Sequence, residues 1–243
     1  MEYTDEMLFN SETLSEKMKR LESETNYKLK AKTPVIIRLD GKAFHTFTKG
    51  LDKPFDKDLS YIMQRVALYL AQEIQNVKFV YSQSDEISLL LTDWDNPNTD
   101  TWFGYRVQKM TSVTSALATQ KFGKSVDEMI EKYWRAMMAK DVSLEDEELY
   151  SAKYRIWKSK KYNGLFDCRV FNLNVDEVSN YFLYRYKDAR RNAIQALAQS
   201  CFSHNELSGV NCMELIDKVK EKINVDFYEL SNLQRTGFAV YKV

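Results

Sequence analysis

Two acidic clusters are the groups in this chain best placed to do chemistry. Asp40 closes the apolar run Val35-Ile36-Ile37-Arg38-Leu39-Asp40, and Asp85-Glu86 end the polar interval Gln83-Ser84-Asp85-Glu86 between two short apolar runs. Carboxylates brought together repel unless a cation lies between them. Hard divalent ions take oxygen ligands, and Mg²⁺ is usually held by one or two carboxylates, waters and substrate phosphates. Two such ions about 3.5–4 Å apart activate an attacking hydroxyl and neutralise the leaving oxygens of a phosphoryl group. The same residues also serve as punctuation, since Asp-Gly at a strand end is a frequent turn and Ser-Asp-Glu a common solvated hairpin tip. Spacing alone leaves both readings open.

The elements that must position these acids are legible from periodicity. Leu14, Met18 and Leu21 predict an opening helix from Ser11 to Glu24, which Thr33-Pro34 ends. Val35 to Asp40 predicts a strand buried on both faces, turning at Gly41. Asp56 is placed to cap a helix whose stripe is Leu59, Ile62, Met63, Val66, Leu70 and Ile74. Lys78 to Ser82 and Ile87 to Leu91 read as a hairpin with an acidic tip. A second helix is expected over Thr101 to Phe122, and Ser125-x-x-Glu128 resembles a capping box opening another through Ala139. Phe166 to Leu173 alternates like a strand, Asp176 is a candidate cap for a long helix to Phe202, Asn211-x-x-Glu214 caps another, and Phe238 to Val243 reads as a last strand.

Without the helices between 125 and 160, the order is strand, helix, strand, strand, helix, strand, the split β-α-β or ferredoxin-like unit. That predicts an α+β fold with an antiparallel sheet, additional helices and a C-terminal helical extension. In such a sheet the first and third strands are central neighbours, so Asp40 falls beside Asp85-Glu86. With no Gly/Ser linker or repeat, residues 1–243 are expected to form a single catalytic unit. It comprises a core of about 30–175, including a helical insertion of about 125–160, and a helical region of about 176–243.

Composition narrows the function classes. The 243 residues carry 35 Lys plus Arg and 35 Asp plus Glu, so no net field draws the chain to nucleic acid or membrane, and any polyanion contact must be a local patch. Seven Gly and three Pro point to long helices with few sharp loops. Cys168, Cys201 and Cys212 form no Cys-x-x-Cys pair, against a zinc ribbon or disulfide scaffold. No apolar run approaches the ~20 residues of a membrane span, and the acidic start (Met1, Glu2, Asp5, Glu6) is unlike a signal peptide. A soluble, cytoplasmic protein is expected.

Three motifs in order carry a family resemblance: Ile37-Arg38-Leu39-Asp40-Gly41-Lys42-Ala43-Phe44-His45-x-Phe47, then Lys53-Pro54-Phe55-Asp56, then Tyr81-Ser82-Gln83-Ser84-Asp85-Glu86-Ile87-Ser88. Over about residues 30–125 the chain resembles the tRNA(His) guanylyltransferase-like family of 3′→5′ polymerases. More loosely, Phe166-Asp167-Cys168-Arg169-Val170 and Arg235-Thr236-Gly237 resemble it too.

The resemblance implies a polymerase palm in which Asp40, the carbonyl of Gly41 and Asp85 hold two Mg²⁺ ions, with Glu86 a supporting catalytic acid. It implies that Lys42 and the backbone of Ala43, Phe44 and His45 turn around a nucleoside triphosphate. Lys53 and Ser84 then fall on the phosphate side, and Asp56 near the activating nucleotide. It places Arg38, Arg106 and Lys109 toward phosphate or tRNA, and it implies ATP and GTP or other nucleotides as substrates and a homotetramer. Blander roles stay open: His45 as packing, Lys53 as solvated, Asp56 as a cap, and Arg106 and Lys109 as the wet face of a helix.

Departures point to a branch within the family. Where the guanosine-adding member has His-Ile-Asn-Asn, this chain aligned on Asp188 reads Arg190-Arg191-Asn192-Ala193, keeping only Asn192, and Phe55 replaces the asparagine of Lys-Pro-Asn-Asp. A Lys-Asn-Glu segment near the C-terminus has no counterpart. These losses fit the bacterial and archaeal-type branch, implying template-dependent repair of tRNA 5′ ends. The rivals are a dedicated tRNA(His) guanylyltransferase and an inactive RNA-binding protein on the same fold. Candidate RNA-binding groups lie in Lys153-Tyr154-Arg155-Ile156-Trp157-Lys158-x-Lys160-Lys161-Tyr162, chiefly Lys158, Lys160 and Lys161, and in Arg185, Lys187, Arg190, Arg191 and Asn192. Cations neutralise phosphates while rings stack on bases.

Overall fold

The computed structural model describes residues 12–96, 98–140 and 142–241. The acidic start, Ser11 and the last two residues of the expected final strand lie outside them.

Five strands form one antiparallel sheet in the order β4-β1-β3-β2-β5. They are β1 (Val35–Gly41), β2 (Val77–Gln83), β3 (Glu86–Leu91), β4 (Phe166–Asn172) and β5 (Phe238–Tyr241). The first four make the ferredoxin-like palm, with β1 between β3 and β4, and β5 extends the sheet beyond β2. The expected central pairing of the first and third strands is present.

Helix α1 (Leu14–Ser23) precedes β1, and a single turn, α2 (Phe44–Phe47), follows it. Helix α3 (Lys57–Glu73) runs between β1 and β2, its first turn capped by Asp56, which accepts from the Leu59 amide at 2.8 Å. α4 (Val107–Met137) and α5 (Leu144–Lys160) connect β3 to β4. After β4 come α6 (Glu177–Gln199), α7 (His204–Leu207), α8 (Cys212–Ile223) and α9 (Asn232–Thr236).

Two helix expectations are corrected. α4 is one 31-residue helix, not two. Phe122, Val126, Met129 and Tyr133 are all buried at helical spacing, so one apolar stripe runs through the capping-box pattern. Ser125 is buried in mid-helix and caps nothing. The helix also starts later than Thr101, because Phe103 and Gly104 take left-handed φ angles of 52° and 60° in a short 3₁₀ turn. Asp176 precedes α6 without capping it through its side chain.

Alternation across β1 sorts the sheet into two faces. Val35, Ile37 and Leu39 enter the main core against α3 and α4, whereas Ile36, Arg38 and Asp40 face the opposite way. That second face is covered by α6, whose Phe182 packs edge-on against Phe79 with centroids 4.8 Å apart and whose Tyr181 hydroxyl bonds Ser88 at 2.9 Å. Farther along, Ala193, Ile194, Leu197 and Ala198 of α6 build a second core with Leu215, Ile216 and Val219 of α8 and with Phe227. One helix therefore covers the second face of the sheet, builds the second core with α8 and roofs the polar end of the sheet. No described helix is long and apolar enough to cross a membrane.

Candidate active site

Register brings the acids together. Leu39 lies opposite Ile87, so the next residues, Asp40 and Glu86, are abreast at the end of the two central strands. Gln83 pairs with Glu86, leaving Ser84-Asp85 as a two-residue hairpin tip in which Ser84 takes a left-handed φ of 53°. A serine holds that conformation at some energetic cost, and such residues cluster at functional sites. The Ser84 hydroxyl donates to Asp85 Oδ1 at 3.0 Å, aiming the carboxylate. Burial pushes the Asp85 carboxyl above the ordinary range, the charge of Asp40 adds to the rise, and the Ser84 bond opposes it.

Gly41 is required by close approach. A Cβ there would stand 2.3 Å from the Phe44 ring and 2.8 Å from Asp85 Oδ2. Its neighbour Lys42 donates its amide to Leu165 at 2.8 Å, and Ala43 takes a left-handed φ of 55° to start α2. The first N–H groups of a helical turn have no partner within it, which leaves the start of α2 able to face an anion. The turn itself is rigid: Phe44 and Phe47 stack 4.8 Å apart, and Phe122 and Phe166 stand 5.5 and 5.3 Å from Phe44. Such aromatic pairs contribute about 0.5–1.5 kcal/mol each.

Glu86 is differently placed from the two aspartates. Its Oε2 accepts from Arg38 Nη2 at 2.7 Å and from Arg185 Nη1 at 2.8 Å. Burial pushes its carboxyl up, opposed by the Arg185 and Arg38 charges. Arg38 also stands 3.9 Å from Asp40. Arg185, read from sequence as part of an RNA patch, is instead 5% exposed, and it also bonds Asp188 at 3.1 Å. The structural role of Glu86 is to lock the roof helix onto the palm.

Two cavities open on either side of the hairpin tip. One, about 380 Å³, is lined by Arg38, Asp40, Asp85, Glu86, Asp188 and Asn192, among others. The other, about 420 Å³, is lined by His45, Asp52, Lys53, Asp56 and further residues. Ser84 and Ala196 belong to both walls, so the cavities form one cleft beneath α6. His45, Lys53 and Ser84 are exposed within it. Lys42 lines a separate depression with Ala43 on the other side of the turn. Asp56 is 6% exposed and holds the Leu59 and Asp52 amides and Lys153, so it braces the wall.

The expected RNA-binding residues do not converge. Arg106 is bridged to Lys28, upstream of β1, which puts it and Lys109 at the end of the sheet remote from Asp40. Lys109 sits over the Phe103 ring at 4.8 Å. Lys160 is corrected outright: it is 7% exposed, and its ammonium donates to the carbonyls of Phe47 and of Lys49, the latter at 2.8 Å. A buried amine engaged in this way has no reach to RNA. Lys161 pairs with Asp127 at 3.0 Å, while Lys158 is exposed beside Tyr154. Arg190 stacks on Tyr228, Arg191 pairs with Asp188 at 2.6 Å, and Asn192 lines the cleft, as Arg185 does.

Sequence reasoning missed Asp188 as a cleft residue, and Lys153 and Lys160 as inward-facing. Their only sequence signal is spacing: Arg185 and Asp188 at i,i+3, and Lys153, Trp157 and Lys160 on one helical face. Burial pushes the Cys168 thiol up to about 12, away from the lowered values of activated thiols.

Among the described residues no three or more His, Cys, Asp or Glu gather as an all-protein metal cage. The donor set present is Asp40, Asp85 and the adjacent Gly41 backbone, hard oxygens that fit a cation completing its shell with water and phosphate.

A family model described as Thg1, tRNAHis guanylyltransferase, matches residues 15–174. The fold is similar, at 37% identity and a TM-score of 0.80 over 95% of this chain and 89% of the other, to a bacterial tRNA(His) guanylyltransferase (Thg1)-like protein solved in complex with ATP. A bacterial Thg1-like protein solved in complex with GTP aligns at 33% identity and a TM-score of 0.72 over 96% and 85% of the two chains. A probable tRNA(His) guanylyltransferase of Dictyostelium discoideum is 23% identical over 86% of this chain and 75% of its own length. With its counterpart in Mus musculus the match is 34% identical but spans 35% of this chain and 28% of that protein.

Proposed function

The chain belongs to the Thg1 family of tRNAHis guanylyltransferases, which are nucleotidyltransferases, and from that premise we propose that it repairs tRNA 5′ ends by template-dependent 3′→5′ nucleotide addition. The observation that carries the proposal is the convergence of Asp40 and Asp85 on one end of a cleft large enough for a nucleotide. The departures Arg190-Arg191-Asn192-Ala193 and Phe55 favour templated repair over dedicated guanosine addition.

In this reading an oxygen of the 5′-monophosphate first attacks the α-phosphorus of ATP and pyrophosphate leaves, giving an AMP-capped end, or the end arrives as a triphosphate. The 3′-hydroxyl of the incoming nucleotide attacks the phosphorus of the 5′ end. A new P–O bond forms, the bond to AMP or pyrophosphate breaks, and the hydroxyl proton leaves to solvent. Asp40, Asp85 and the Gly41 carbonyl are the groups that would hold Mg²⁺, which when bound supplies a lowered hydroxyl pKa and charge neutralisation at the phosphate oxygens. The chain's own residues position and screen. Ser84 aims Asp85, Arg38 and Arg185 pin Glu86, and Lys53, His45 and the start of α2 face the polyphosphate. No histidine base is needed.

The reading includes tRNA as partner, ATP and GTP as substrates, a cytoplasmic site of action and a homotetramer, the last checked by light scattering. The functional test is incorporation of each labelled nucleotide separately into a 5′-truncated tRNA and into tRNA(His) with no template base. Addition opposite the template base far outpacing untemplated guanosine is expected; equal rates on both would favour the dedicated enzyme instead.

A further inference from the structure

The basic, aromatic run on α5 faces two ways, and its inward face is unexplained by any contact with RNA. Lys153, Trp157 and Lys160 lie on one side of the helix, with Trp157 wholly buried. Lys153 bonds Asp52 at 2.5 Å and Asp56 at 3.4 Å. Lys160 caps the end of α2 by donating to the carbonyls of Phe47 and Lys49. All four partners fall within residues 47–56, the segment whose Thr48 and residues 51–56 wall the 420 Å³ cavity together with His45.

Energetics argue that these amines are there for position. A buried ammonium facing only carbonyls loses hydration without a counter-charge in contact, and an aliphatic side chain would pack there without that penalty. What the amine provides is a fixed pair of hydrogen bonds on the last carbonyls of a helical turn. Lys153 adds a second effect. Asp52 and Asp56 in the cavity wall would repel a polyphosphate, and one cation between them weakens that repulsion.

We propose that α5 is a clamp on the nucleotide-binding segment, with Lys153 and Lys160 as positioning residues that set affinity for the nucleoside triphosphate and not for RNA. The proposal rests on the function proposed above for the same cleft. Lys160 holds the geometry of the turn, and Lys153 holds both the geometry and the charge of the wall.

The test is ATP binding to the full chain by calorimetry with Mg²⁺, alongside tRNA binding, for wild type, Lys153→Met, Lys160→Met, Lys153→Arg and the exposed-face control Glu148→Gln. ATP affinity is expected to fall about tenfold or more in both Met variants. Lys153→Arg should recover most of it, Glu148→Gln should match wild type, and tRNA affinity should stay within about twofold throughout. The Lys153→Met loss should also change with salt, since it leaves two carboxylates without their cation. Unchanged ATP affinity in the Met variants, or a loss of tRNA affinity with ATP affinity intact, overturns the clamp. If Lys160→Met fails to fold, Lys153→Met decides alone, because it leaves the turn's carbonyls capped. A wild type that binds ATP but extends no RNA would refute the proposed function and leave the clamp standing; one that binds no nucleotide refutes both.

Discussion

Asp85 Oδ2 lies 2.8 Å from where a Cβ on Gly41 would stand, so the end of β1 and the tip of the β2–β3 hairpin touch across a gap only glycine leaves open. Gly41→Ala would drive its methyl group into both the Phe44 ring and this carboxylate. Overpacking of that kind costs about 1–3 kcal/mol, and a misplaced acid of the kind proposed here costs about a hundredfold in rate. Urea melts and a 5′-addition assay on the variant measure both; wild-type stability with wild-type rate would show that the approach is unimportant.

The Arg185–Glu86 pair joins the roof helix to the palm. Arg185→Met removes one of the two arginines on Glu86 and leaves Asp188 without its 3.1 Å partner. Breaking a buried pair costs about 3–5 kcal/mol, and the remaining Arg38 bond should hold the loss to the lower end. A double-mutant cycle with Glu86→Gln should be strongly non-additive. Additive effects would mean the two side chains act separately.

The raised pKa of Asp85 makes stability depend on pH. Its folded value lies above the unfolded one, so the native state binds more protons in the interval between them. Stability from this group is therefore full below the ordinary carboxylate value, declines as pH rises through the folded pKa, and stays lower at neutral pH. Asp85→Asn removes the penalty and should melt higher than wild type at pH 7 without divalent ions, with the advantage gone near pH 3. Mg²⁺ should raise the wild-type melting temperature at pH 7 and not that of the variant. Identical melting of the two proteins at pH 7 would show that the site carries no such strain.

Gly237, in the Arg-Thr-Gly run, has φ 81° and ψ −154°, and a Cβ there would lie 2.2 Å from the Ser82 carbonyl oxygen. That backbone region is nearly restricted to glycine. Gly237→Ala should lower stability by about 2 kcal/mol or more by prying β5 from β2, read as faster amide exchange in Phe238 to Tyr241. Unaltered exchange there would contradict it.

Much of the frame was legible because it depends on local pattern. The Val35 to Leu39 run, apolar but for Arg38, announced a central strand, Asp56 capped α3 as its spacing indicated, and the strand order identified the palm. Sequence failed where long-range packing overrode a local signal. The continuous stripe through Phe122 and Val126 swallowed the Ser125 capping pattern. Charge was the least readable feature. Arg185, Lys153 and Lys160 look like solvated cations in a row of letters, and only the fold shows them turned inward onto carboxylates and carbonyls.

The most direct test of the account is single-turnover addition of a labelled nucleotide to a 5′-truncated tRNA by wild type, Asp40→Asn and Asp85→Asn, with Mg²⁺ and with EDTA. Wild type should extend the RNA only with the metal. Each variant should lose about a thousandfold or more in rate while keeping its fold and its affinity for tRNA. Extension at the wild-type rate by either variant, or undiminished extension in EDTA, would contradict the shared-cation site.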